Sequence, residues 1–311
     1  MSTPSSRWPP LLPPGARVAL LSPAGPLRGE EQLACAMDNA RSLGWEPVPG
    51  EHVLARRGYL AGDDALRAAD LDRALRDPRV DGIWCTRGGY GSMRLLDGID
   101  YGLLRARPRA ILGYSDITAL HMAVRARAGI VTFHAPTARG ELSPFSRESL
   151  RRAVVTGENP CGIAEQARVL RHGRARGPIV GGNLALVAAM TGTPYALDLE
   201  GTILLIEDVG EPLYRIDRML RQLQLSGALS RAAALGIGSF SARGDDPDDR
   251  DEALETLLVE TAVAVNGPVI AGIPLGHIPD QWTIPLGAIG ELDSESRSLT
   301  IEPSPQRSSI A

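Results

Sequence analysis

The sequence predicts an α/β protein with a parallel sheet in its first half and a smaller, β-rich α+β second half. Three observations predict it. Short aliphatic strands alternate with helical patterns from Arg17 to Phe133, the arrangement that builds a parallel sheet. Aromatic residues make up only 4% of a chain that is 43% hydrophobic, so its core must be aliphatic, as in sheets buried on both faces. The length of 311 residues exceeds what one core usually holds, so two domains are expected.

The elements follow in order. Arg17–Leu21 reads as a strand ending in the turn Ser22-Pro-Ala-Gly-Pro26, and a helix from about Gly29 stops at Gly44. Asp63 and Asp64 can cap a second helix that ends at Asp77-Pro78. Gly82–Cys85 and Ala110–Leu112 are strands that run into Thr86-Arg-Gly-Gly-Tyr-Gly91 and Gly113-Tyr-Ser-Asp116. A helix over 117–128 and a strand over 130–133 complete this half. The pattern loosens around Asn159-Pro-Cys-Gly162, between about 140 and 175, and the boundary is placed at 160. A flexible Pro-rich leader (1–14), an N-terminal domain (15–160) and a C-terminal domain (161–311) are therefore expected. In the second half, strands are expected at 202–206, 233–237 and 269–273 and near 282–284 and 299–301. Helices are expected at 213–225 and 251–265.

The composition excludes several classes of function. A net charge of −4 gives no basic stripe for nucleic acid or membrane. No apolar run approaches the ~20 residues of a membrane span, and the N-terminus lacks the pattern of a signal peptide. Three widely spaced cysteines suit a reducing cytoplasm. The chain has no lysine, so a P-loop lysine, a Schiff base and a Ser-Lys dyad are all impossible. The turn after the first strand is not G-x-G-x-x-G, which argues against a nicotinamide enzyme. The acidic run Gly244–Glu252 does not have EF-hand spacing and is expected to be a solvated, helix-capping loop. Cysteines and histidines show no paired metal-ligand spacing, so no metal is expected.

Ser115 sits where an aliphatic strand meets a helix almost without a loop. Its hydroxyl would project from the carboxyl edge of the sheet, where ligands of open parallel sheets bind. The helix N-terminus behind it suits a developing oxyanion. The turn resembles a nucleophile elbow without its second glycine, and helix capping by Ser115 or Asp116 is an equal alternative. The glycines of Arg87-Gly-Gly-Tyr-Gly91 allow a second oxyanion donor or a phosphate nest. Arg87 could hold a substrate carboxylate or form a structural ion pair; Gly88 and Tyr90 join it as candidate substrate contacts. A serine nucleophile needs a base, and without lysine that is histidine. His277, in Gly276-His-Ile-Pro-Asp280, and His134, after a strand, tie on local sequence. Glu207, at the end of Ile203–Ile206, is a rigidly held carboxylate that could orient the base, with Asp208, Glu211 and Asp280 as rivals.

In series, these segments resemble the LD-carboxypeptidase family, the murein tetrapeptide carboxypeptidases. The matching stretches are Ala19–Gly25, Cys85–Ser92, Ile111–Thr118, Phe133–Pro136, Gly181–Leu184, Leu205–Glu211 with Tyr214–Arg218, and Gly276-His277. The resemblance implies a flavodoxin-like N-terminal domain and a smaller β-rich C-terminal one. It implies Ser115 as nucleophile, Glu207 as acid and His277 as base, with an oxyanion hole at the backbone N–H groups of Gly89 and Asp116. The implied activity is hydrolysis of the L,D bond to the terminal D-alanine of murein tetrapeptide, in cell-wall recycling in the cytoplasm, without a cofactor. The partner implied is a small peptide, not nucleic acid or membrane; the sequence leaves the oligomeric state open, with a homodimer as one candidate. Two rivals stand beside it. One is a related branch that gives immunity to microcin C-type antibiotics by cleaving acyl-sulfamoyl adenylates, whose members tend to carry aromatic residues in an insertion. The other is a non-catalytic module for a small anion or nucleotide.

Overall fold

The computed structural model describes residues 6–243 and 247–307, without the side chains of 242–250. Residues 244–246 of the acidic run Gly244–Glu252 lie outside the described residues, and its remainder, expected as a loop, forms the start of a helix that begins at Pro247. In chain order the elements are β1 (Arg17–Leu21), α1 (Glu30–Ser42), β2 (Glu46–Pro49), α2 (Asp64–Arg76), β3 (Gly82–Cys85), α3 (Tyr101–Ala106), β4 (Ala110–Gly113), α4 (Thr118–Ala128), β5 (Thr132–His134) and α5 (Pro144–Arg151). The second half follows with β6 (Arg168–Arg171), β7 (Arg174–Asn183), α6 (Leu184–Ala189), β8 (Ile203–Pro212), α7 (Leu213–Leu225), α8 (Ala228–Arg231) and β9 (Ala234–Arg243). It ends with α9 (Pro247–Val263), β10 (Val269–Ala271), β11 (Ile284–Leu286), β12 (Ile289–Asp293) and β13 (Ser298–Ile301).

The first sheet has the order β11-β5-β4-β3-β1-β2, with β2-β1-β3-β4-β5 all parallel. This is the flavodoxin-like order, and its direction reverses between β1 and β3, where such folds open a binding crevice beyond the carboxyl ends of the strands. The second sheet, β13-β12-β7-β8-β9-β10-β6, is parallel only through β7-β8-β9-β10. The α/β plus β-rich architecture is as expected from sequence. The expected division at residue 160 is less clean in space, because β11 from the C-terminal half pairs antiparallel with β5 in the first sheet. One buried apolar cluster also runs from Ile117 and Leu120 to Val180, Leu184 and Ile206.

Two contacts seat the halves. A Cβ on Gly182 would come within 2.5 Å of Thr118 Oγ1, and that hydroxyl accepts the Asn183 N–H at 3.0 Å. The start of α4, just after Ser115, is thereby held against β7. One strand over, Asn183 is in register with Glu207 on β8. A Cβ on Gly181 would lie 1.9 Å from the Leu205 carbonyl oxygen, so β7 can lie this close to β8 only as glycine there.

The expectation of a flexible leader needs correction over Ser6–Pro14. Arg7 bridges to Ile130, donating its N–H to Gly129 O at 2.8 Å and accepting that of Val131 at 2.9 Å. Trp8 packs on Phe133, and Leu12 is completely buried, its carbonyl accepting Trp45 Nε1–H at 2.8 Å. Proline hides this in the sequence: it removes both periodicity and ladder donors while the chain still lies in a fixed groove. Leu12→Ala is expected to cost about 2–5 kcal/mol in chemical denaturation, the range for emptying a buried leucine site. A free leader would give no change.

Candidate active site

β4 is fully buried, and its last residue hands over to Tyr114 in extended conformation. Ser115 then turns left-handed at φ 63°, one of two non-glycine residues with positive φ among those described. That conformation costs an L-residue about 1–2 kcal/mol and marks a position where the surroundings dictate the backbone. A short 3₁₀ turn, Ser115–Ile117, leads into α4, and neither carries a side-chain cap. The capping alternative is therefore not what these side chains do. The Asp116 carboxylate accepts Ser92 N–H at 2.8 Å, tying the loop after β3 to the elbow. Burial raises the Asp116 pKa. The Ile117 N–H donates to Tyr114 O at 3.4 Å and the Thr118 N–H to Ser115 O, and the positive end of the helix dipole lies at this turn.

The glycine loop after β3 lies on the elbow. A Cβ on Gly88 would sit 2.8 Å from Ser115 Cβ and 3.0 Å from its Oγ, so only glycine leaves the hydroxyl its space. Gly88 O accepts Gly25 N–H at 2.9 Å, which joins the β1 and β3 turns. Gly89 has φ 103° and rests against Gly25. Arg87 is partly buried, donating from Nη1 to Pro26 O at 2.5 Å, and makes no ion pair among the described residues. Tyr90 faces outward, edge-on to Tyr59 at 5.7 Å. Arg67, which the sequence reading missed, is buried and donates to Gly91 O at 2.8 Å and to Pro23 O, locking this loop from behind.

From the other half, Glu207 is wholly buried on β8 and accepts a hydrogen bond from His277 Nδ1 at 2.8 Å. Its other oxygen has no hydrogen-bond partner among the described residues. Gly276 makes the pair possible, because at φ 109° a Cβ there would fall 2.7 Å from Glu207 Oε2. With Nδ1 committed, His277 keeps Nε2 for other work, and its side chain is 23% exposed. The rival carboxylates are engaged elsewhere or exposed. Asp208 accepts Ala185 N–H at 2.9 Å and Asn183 Nδ2–H at 3.2 Å; Glu211 pairs with Arg215; Asp280 is exposed.

Tyr114 joins the two halves of the site. Its ring lies 4.7 Å from the His277 ring and 5.7 Å from the His134 ring, centroid to centroid. The residue preceding Ser115 thus packs directly on His277. Burial and then the Glu207 charge raise the tyrosine's pKa, and its hydroxyl meets the Gln281 side chain. The loop carrying His277 is pinned from α5, where Ser146 Oγ donates to Pro279 O at 2.8 Å and accepts Gln281 N–H at 2.9 Å. The sequence reading did not single out Tyr114 for this contact, although it lies inside the quoted motif. His134, which tied with His277 on sequence, is buried, and neither ring nitrogen is hydrogen-bonded among the described residues.

Beneath the elbow, buried His121 places Nε2 2.8 Å from Gly113 O. Burial lowers its pKa from 6.5 to about 4. The unfolded chain takes up this proton below 6.5 while the folded chain does not until about 4. Folding therefore loses stability as pH falls through that window, on the order of 3 kcal/mol for the one group. Asp208 opposes it: burial first, and then Glu207, lift its carboxyl from 3.8 to about 6. That contribution is present at low pH and is lost as pH rises through about 6. His121→Gln removes the first contribution and leaves the second. Its Tm should fall less than that of wild type between about pH 7 and about pH 5, where histidine titrates. Equal slopes would contradict the assignment.

Two family models match the chain: the LD-carboxypeptidase N-terminal domain over residues 18–135 and the LD-carboxypeptidase C-terminal domain over residues 176–292. Murein tetrapeptide carboxypeptidase of Pseudomonas aeruginosa is 36% identical over 307 residues, covering 94% of this chain and 97% of its own. The crystal structure of muramoyltetrapeptide carboxypeptidase from Oxalobacter formigenes superposes with a TM-score of 0.81 at 29% identity, over 92% of this chain and 98% of that one. The microcin C7 self-immunity protein of Escherichia coli is 26% identical over 291 residues, covering 83% of this chain and 84% of its own.

Proposed function

The chain belongs to the LD-carboxypeptidase family of serine-type hydrolases, and we propose that it removes the terminal D-alanine from murein tetrapeptide with Ser115, His277 and Glu207 as its catalytic residues. The observation that carries the assignment of roles is the 2.8 Å bond from His277 Nδ1 to Glu207, made beside the tyrosine that immediately precedes Ser115.

In this reading the Glu207 carboxylate fixes the tautomer of His277, with the proton on Nδ1 and the lone pair on Nε2. Nε2 takes the Ser115 proton as Oγ attacks the carbonyl of the scissile bond. Charge develops on the carbonyl oxygen, and the N–H groups of Gly89 and Asp116 receive it. The imidazolium, stabilised by buried Glu207, then protonates the departing D-alanine nitrogen. Water enters, gives its proton to Nε2 and hydrolyses the ester, which returns Ser115 to its starting state. The strained turn at Ser115 and the bare Gly88 serve the same end, leaving Oγ unobstructed and fixed before substrate arrives.

The immunity reading is favoured by the likeness to the self-immunity protein, and it is separable by experiment. Purified protein offered murein tetrapeptide and an acyl-sulfamoyl adenylate in parallel should give the higher kcat/KM on the peptide. A reversed preference would move the chain to the immunity branch with the same catalytic residues.

A further inference from the structure

Five loops leave the carboxyl edge of the parallel sheet, and one of them carries Ser115 after β4. The other four each carry an arginine: Arg28 after β1, Arg56 after β2, Arg87 after β3 and Arg139 after β5. The backbone draws these loops together. Ala61 N–H donates to Ala24 O at 2.9 Å and Ser22 Oγ to Val53 O at 2.8 Å, holding the β2 loop on the β1 turn. Gly25 N–H donates to Gly88 O at 2.9 Å, and Arg139 N–H to Thr86 O at 3.3 Å. Gly88, next to Arg87, touches the Ser115 side chain. The cluster therefore lies beside the elbow, at the reversal of strand order between β1 and β3.

None of the four guanidinium groups forms an ion pair among the described residues. Some arginines elsewhere are matched to carboxylates, as Arg94 is to Asp64 and Arg174 to Asp293, and others, such as Arg109 and Arg297, donate to backbone carbonyls. Of the carboxylates on the same edge, Glu51 is committed to Arg73, Asp63 to Arg57 and Asp116 to Ser92, while Glu30 and Glu31 in the first turn of α1 are exposed and pair with none of the four. Glu141 in the β5 loop is exposed and pairs with none of the four. Burial, and then the charges of Arg139, Arg28 and Arg56, hold the Arg87 guanidinium below its usual range. In a chain of net charge −4, four unmatched cations around one crevice are a local reversal of sign that repels itself until an anion arrives.

We propose that Arg28, Arg56, Arg87 and Arg139 form a single anion subsite that selects a peptide bearing more than one carboxylate and draws it to Ser115. The proposal rests on the reading of Ser115 as the reacting residue, and it adds that affinity resides in the acidity of the peptide rather than in its apolar side chains. Guanidinium suits this work because it stays charged and grips carboxylate through two parallel N–H bonds.

The test compares the full chain with its Arg56→Gln and Arg139→Gln variants on two peptides. One is a tetrapeptide with all carboxylates free; the other has the same sequence with every carboxylate but the C-terminal one amidated. Affinity is also measured by calorimetry with the Ser115→Ala protein, which needs no turnover. Wild type should prefer the acidic peptide by roughly tenfold or more, the worth of a charge-assisted hydrogen bond, and the preference should weaken with salt. Each arginine variant should shrink both the preference and its salt dependence. Arg56 is exposed, so its variant will fold, and melting checks the second. Equal kcat/KM on the two peptides would overturn the subsite while leaving the peptidase reading intact. Carboxylate-dependent binding to Ser115→Ala without hydrolysis by wild type would support the subsite and remove the peptidase reading.

Discussion

Replacing Ser115 by alanine is expected to lower kcat by about 10⁴–10⁶-fold, the scale of nucleophile deletion in a triad acting as a unit. The neighbouring hydroxyl of Ser92 is committed to Asp116 O at 2.5 Å. Gly88 presents no side chain, Asp116 is turned to Ser92, and the chain has no lysine. A second substitution separates chemistry from folding. Ser115→Gly should also be inactive, yet glycine takes φ 63° without the penalty an L-side chain carries, so it should raise stability by about 1 kcal/mol over wild type. Retention of more than about a tenth of the wild-type rate by either variant would remove Ser115 as nucleophile.

Glu207→Gln is expected to lower kcat by about 10⁴-fold, as happens when an orienting carboxylate becomes an amide and favours the wrong imidazole tautomer. The amide can turn its NH₂ to His277 Nδ1, which places the proton on Nε2, where the lone pair is needed. Stability should not follow activity. Glu207 is fully buried, with one oxygen lacking a partner among the described residues, and glutamine keeps a hydrogen bond to His277 while removing the buried charge. The variant should therefore melt at or above the wild-type temperature while nearly inactive. Loss of activity in proportion to loss of folded protein would instead reduce Glu207 to a structural residue.

The turn that carries Ser115 was readable because its signals are local: an aliphatic strand, a tight Gly-Tyr-Ser-Asp turn and a helix, all within 110–128. Glu207 was readable for the same reason, at the end of Ile203–Ile206, although β8 continues to Pro212 through shifts in register. The choice between His134 and His277 was not. It depends on a hydrogen bond between residues 70 apart, and periodicity carries no information about that contact. The resemblance named His277; its bond to Glu207 is visible only in the folded chain. β7 escaped the reading because Arg174–Asn183 carries glycines where a strand usually carries branched residues. Those glycines are what lets β7 approach β8 and α4 closely, so the feature that hides the strand is the one that assembles the site. The four arginines were invisible as a group because each lies on a different loop, and only the sheet order collects them.

The most direct test of the central claim is release of free D-alanine from muramyl tetrapeptide by the purified protein, with Ser115→Ala prepared in parallel. The account predicts stoichiometric D-alanine and tripeptide from wild type and none from the variant. Equal release by both proteins, or release by neither, would contradict it.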